Sequence, residues 1–106
     1  MHAPFRYRGF YDRPRMILVN YRDLLFLLDS PFDEVADEYP DTYHVYLLPL
    51  LAEVDFQGDW TRLPMRAVAD LGTIPLRQVQ FDKSRRATLD MEILERLGKS
   101  SGLWKD

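Results

Sequence analysis

Four aspartates recur at every fourth position, Asp29, Asp33, Asp37 and Asp41, with Glu34 and Glu38 between them. Carboxylates at that spacing share a stripe of a helix. Such a stripe can hold a divalent cation through oxygen ligands, or imitate phosphates toward a basic partner. A calcium loop needs acids at alternate positions and a glycine at its bend; both are missing, so no metal and no cofactor are expected. Asp33, Glu34, Asp37, Glu38 and Asp41 therefore read as a face for a protein with a basic surface. The competing explanation is a solvated helix face, because acids near a helix N-terminus are favoured by about 0.3–1 kcal/mol each.

The charge along the chain sharpens that choice. Residues 23 to 61 contain no Lys or Arg and carry -10, residues 1 to 22 carry +4, and residues 62 to 106 carry +3. Segregation of this kind can steer a charged partner. It can also be cancelled in the fold, with the basic arms lying across the acidic middle.

Other chemistry has thin support. Asp29, following an apolar run, is the carboxylate best placed to be enclosed and so to acquire a shifted pKa. His44 stands between Tyr43 and Val45 with no orienting partner visible in sequence. There is no glycine-flanked serine elbow, no phosphate-binding glycine loop and no cysteine. At the N-terminus, Arg6, Arg8 and Phe10 belong to an interleaved arginine–aromatic run that suits stacking on single-stranded nucleic acid. The acidic pI of about 5.3 opposes that reading. A second basic spot, Lys83, Arg85 and Arg86, could bind an anion or pair with the acidic middle. Arg85 to Thr88 also has the form of a basophilic kinase site, although Thr88 is expected to cap a helix.

The elements that must position these groups follow from pattern. At 106 residues, 46% hydrophobic and without cysteine, the chain is expected to form one domain spanning 1–106. Residues 1–4 and 99–106 read as terminal arms, and the location as cytoplasmic. No stretch is long and apolar enough to span a bilayer, so no membrane is expected. Residues 5 to 11 read as an edge strand. Met16 to Val19 and Leu24 to Leu28 read as a hairpin, its turn a type I with Asp23 left-handed, because no glycine is there for a primed turn.

Ser30, Pro31 and Asp33 carry helix-start signals, and Phe32, Val35, Ala36 and Tyr39 fall on one face, so a helix ending at Pro40 is expected. Tyr43 to Leu48 is a third strand, and residues 50 to 56 could form a short helical turn. A loop between Gly58 and Pro64 holds Trp60. Met65 to Leu71 is open to helix or strand with helix slightly favoured, Thr73 to Phe81 reads as strand pieces broken by Pro75, and a last helix runs from Thr88 to Gly98. Leu103 and Trp104 are expected to dock on the core or to make a dimer contact; an edge strand offers another route to a dimer.

The fold class expected is α+β: a small, mostly antiparallel sheet or partly open barrel with two short helices packed on it. The function expected is that of a small acidic binding module, an inhibitor, antitoxin- or immunity-like factor or adaptor. The alternatives are a small enzyme with a cleft carboxylate and single-stranded nucleic-acid binding through the arm.

Overall fold

The computed structural model describes residues 2–11, 13–82 and 86–104, and, within these, leaves out the side chains of 2–4, 10, 11, 13, 80–82 and 86–91. The fold is α+β. Strands β2 (Arg6–Tyr11), β3 (Arg13–Tyr21), β4 (Leu24–Asp29), β5 (Thr42–Leu48) and β6 (Ala69–Pro75) form a five-stranded antiparallel sheet in that order. A second sheet has the order β1–β8–β7, from β1 (His2–Pro4), β7 (Val79–Asp82) and β8 (Arg86–Asp90). Only Phe5 separates β1 from β2, so one length of chain serves both sheets. The helices are α1 (Glu53–Gln57) and α2 (Met91–Ser100). The edge strand, the hairpin, the third strand, the helical turn in 50–56 and the break at Pro75 stand as expected.

The central strands are apolar on both faces because both faces are covered. On one face Ile17, Val19, Phe26, Leu28, Tyr43 and Val45 pack with Val79 of β7 and with Ile93 and Leu94 of α2. On the other, Leu18, Leu25, Leu27 and Leu48 lie under Trp60 and Leu63. Trp60 is fully buried and donates its indole N–H to the Phe56 carbonyl at 3.0 Å. That burial folds the whole β5–β6 connection back over the sheet.

Four sequence expectations are corrected. Residues 30–40 are not a helix: Glu34–Asp37 form a turn closed by the isolated bridge Asp33–Glu38. Asp29 pairs with His44 on the neighbouring strand. The chain between must therefore return to a strand about 4.8 Å away, whereas a ten-residue helix would end about 15 Å from its start. Like charges four apart (Asp33 with Asp37, Glu34 with Glu38) also oppose the helix. Ser30 is no cap but a wholly buried residue, its N–H donated to Arg15 O at 2.8 Å.

The β3–β4 connection is the second correction. It is a two-residue turn with Arg22 and Asp23 both left-handed, at φ 52° and 60°. Primed geometry matches the strand twist, and that advantage prevails here without glycine. Third, Leu63–Arg66 is a 3-10 turn and Ala69–Pro75 is strand, so no helix spans 65–71. Fourth, Thr88 and Leu89 lie in β8, paired with both β1 and β7, and the last helix starts only at Met91. Apolar spacing over a few residues cannot tell a strand end from a helix start.

At the C-terminal end the indole of Trp104 lies over Gly98, where a Cβ would come within 2.2 Å of the ring. It meets Tyr21 and Phe26 edge-on, and donates its N–H to Glu95 O at 3.2 Å.

Candidate functional site

The acidic segment is shaped by its own side chains. Asp33 accepts the backbone N–H groups of Val35 and Ala36 at 3.0 and 3.1 Å. Reciprocal backbone bonds join Asp33 and Glu38, at 2.8 and 3.2 Å, and Asp37 takes the left-handed conformation at φ 55°. Aspartate satisfies turn amides in this way, which also weakens it as a helix former. Below the turn the rings of Phe32 and Tyr39 meet edge-on at 5.1 Å, and the Arg15 guanidinium lies 4.2 Å from the centre of the Tyr39 ring. Arg15 Nη1 also donates to Ser30 Oγ at 3.4 Å. Asp41 fixes the base, its carbonyl accepting the N–H of Leu76 at 3.0 Å.

This scaffold brings Asp33, Glu34, Asp37 and Glu38 together on an exposed loop, and it exposes what a helix would have buried. Val35 is 100% exposed at the tip and Phe32 is 45% exposed. A cavity of about 570 Å³ lies against the loop, lined by Arg15, Phe32, Asp37, Glu38 and Tyr39. Ion pairing among the described residues divides the acidic middle in two. Its later half is met by basic residues, Arg6 with Glu53 and Arg66 with Asp55, both at 3.3 Å. Asp59 is held below the ordinary carboxylate range by hydrogen bonds from the Thr61 N–H and hydroxyl. None of Asp33, Glu34, Asp37, Glu38 and Asp41 forms an ion pair with a described residue.

A second group of titratable residues lies on the sheet face that Trp60 partly covers. Asp29 and His44 are paired across β4 and β5, and Tyr46 is opposite Asp70 across β5 and β6. Residues so paired share a face. His44 Nε2 is 2.5 Å from Asp70 Oδ1, and its ring stacks on Tyr46 at 4.6 Å. The register slip between Val45 and Tyr46 makes this possible, with Gly72 left-handed at φ 96° and its N–H donated to Asp70. Asp70 is held low by that amide and by His44. Asp29 is pushed up by burial, an effect that His44 partly offsets. Burial raises the Tyr46 hydroxyl too, with smaller contributions from Asp29 and Asp70. An oriented imidazole beside a carboxyl of raised pKa is suited to proton transfer. Among the described residues no cluster of ligands is arranged for a metal ion.

Arg6 and Arg8 of the arginine arm lie along the protein's own surface. Arg6 lies 4.4 Å over Phe56, and Arg8 lies 4.4 Å over Trp60 while donating to Phe56 O at 2.6 Å. These arginines fasten the edge strand to the β5–β6 connection. The side chains of Phe10 and Arg86, and the whole of Lys83 and Arg85, lie outside the described residues.

Sequence reasoning missed Asp70 as the partner of His44, a link made only by strand pairing, and missed Arg15 beneath Tyr39. It also placed Phe32 and Val35 on the apolar face of a helix. The aspartate directly before Glu34-Val35-Ala36 was the available signal, since an aspartate there favours a turn as readily as a helix cap. No protein-family model, curated protein or solved structure matches this chain.

Proposed function

We propose that this chain is a small binding module whose 31–39 loop, in place of the helix expected from sequence, engages a protein with a basic surface. The observation that carries the reading is a fully exposed valine at the tip of a loop that its own hydrogen bonds hold in shape, with four carboxylates around it. Nothing in the fold calls for Val35 to be apolar, and with the half-exposed Phe32 on the same loop it gives an apolar centre with a charged rim, as contact sites have. With no described residue paired to those carboxylates, the loop constitutes an acidic patch. Preordering of the loop also lowers the entropy lost on association. An inhibitor, immunity-like factor or adaptor acting in the cytoplasm fits this arrangement.

The test is capture of a partner by the tagged chain, compared with a variant carrying Glu34→Gln, Val35→Ser, Asp37→Asn and Glu38→Gln. One protein retained by the wild type and lost by the variant, at unchanged melting temperature, supports the reading. Equal retention by both overturns it.

One observation favours a second reading. The His44–Asp70 contact of 2.5 Å, with Asp29 opposite, supports proton-transfer chemistry on the exposed part of the sheet face. A metabolite screen by thermal shift checks it: a compound that stabilises the wild type and leaves His44→Gln unmoved would favour this reading over the first.

A further inference from the structure

Two of the fold's own arginines, Arg6 and Arg22, are held by a ring and a carboxylate together. Arg6 lies on the Phe56 ring and pairs with Glu53, both in α1. Arg22 lies 4.8 Å from the Trp104 ring centre and pairs with Glu95 at 2.6 Å. Each time a ring supplies the platform and a nearby carboxylate the counter-charge, a combination suited to a planar guanidinium. The 31–39 loop carries the same combination a third time. Arg15 occupies the Tyr39 ring. Phe32, half-exposed beside it, has no described cation over its face, and Asp37 and Glu38 line the same cavity of about 570 Å³.

We propose that this cavity receives an arginine side chain of the protein partner, its guanidinium stacked on Phe32 and paired with Asp37 and Glu38. The proposal rests on the binding-module reading and names the chemistry of its partner. Three features point to arginine. The exposed acids Asp37 and Glu38 have no described counter-ion. The ring adds an attraction that favours a delocalised, weakly hydrated cation over a lysine ammonium. The cavity is open to solvent and roomy enough to admit an arginine side chain from a partner. Arg15, largely buried and turned to Tyr39 and Ser30, forms the floor of the cavity, and the exposed charges beside it are the carboxylates of Asp37 and Glu38.

The experiment is an amide-resolved NMR titration of the full chain with acetyl-Gly-Arg-Gly-amide, and with the same peptide carrying lysine, citrulline or glutamate. The expected result is saturable shifts at Val35 to Tyr39 with the arginine peptide and none with citrulline or glutamate. Phe32→Leu, which keeps the apolar contact and removes the ring, should weaken binding about two- to fivefold, the worth of an exposed cation–π contact. Asp37→Asn with Glu38→Gln should abolish the shifts, and Asn suits the left-handed position at 37. Lysine binding as tightly as arginine, an unchanged Phe32→Leu variant, or no shifts with any peptide would each overturn the proposal. If the arginine peptide fails while partner capture still depends on the loop, this inference falls and the binding module stands. If the peptide binds while capture ignores the loop, the module reading falls.

Discussion

Strand β4 is entered and left by two turns of opposite character. At its start, Arg22 and Asp23 are both left-handed, and the turn is tied to α2: Arg22 pairs with Glu95, and the Tyr21 hydroxyl donates to Glu95 Oε2 at 2.7 Å. Trp104 covers the group. At its end, the 31–39 loop also contains a left-handed residue, Asp37, but among the described residues its tip is held by local hydrogen bonds. Tertiary contacts stabilise the first turn against its backbone strain, so its side chains serve the fold. The tip of the second contributes little burial, so its side chains are open to another use. The exposed Val35 and half-exposed Phe32 of the second turn are thus the informative ones.

The largest test of that contrast is at the anchored turn. Trp104→Ala should cost about 3 kcal/mol, by analogy with other large aromatic truncations, and Gly98→Ala should approach the same loss by driving the indole from its seat. Denaturant unfolding measures both. Near the foot of the free loop, Asp29→Asn should stabilise the protein at neutral pH. The folded-state pKa of Asp29 is raised, so this carboxyl favours folding most when protonated, and its contribution falls as pH rises through that value. The gain from asparagine should therefore vanish below about pH 4, where the unfolded aspartate is protonated as well. Asp70 has the opposite sign: its stabilising contribution is present at neutral pH and is lost as pH falls through its lowered pKa. Melting curves across pH distinguish the two.

Smaller effects sharpen the same comparison. Asp23→Gly should raise stability by about 0.5 kcal/mol, because glycine relieves the left-handed strain and loses only part of that gain to chain entropy. Val35→Ser should alter stability by less than about 0.5 kcal/mol, the ordinary range for an exposed site. Should Val35→Ser instead unfold the protein, the contrast between the turns would collapse.

What sequence made legible was decided by pattern length. The runs Met16–Val19, Leu24–Leu28 and Tyr43–Leu48 are apolar enough to be strands whatever surrounds them, and each is. Phe32, Val35, Ala36 and Tyr39 fit a helical face equally well, yet the segment folds as a turn closed by Asp33 and Glu38 between the strands that pair Asp29 with His44. Thr88 has a helix-cap signature, and pairing with β1 and β7 overrides it. Of the candidate site, the acids were legible as residues and the geometry was not. Whether Val35 is buried depends on a turn, and whether His44 has a partner depends on a strand that sequence favoured as helix.

The passage of β1–β2 through Phe5 also bears on how the chain reaches its fold. Among the described residues, strands β2 to β6 pair with their sequence neighbours, so the five-stranded sheet can assemble as a meander of short loop closures. Strand β1 pairs His2 with Asp90, the longest loop closure in either ladder. Non-local pairings of this kind are slow to form. On the ribosome β1 would complete its sheet only after β8 had emerged, its edge staying open while the chain between them is made.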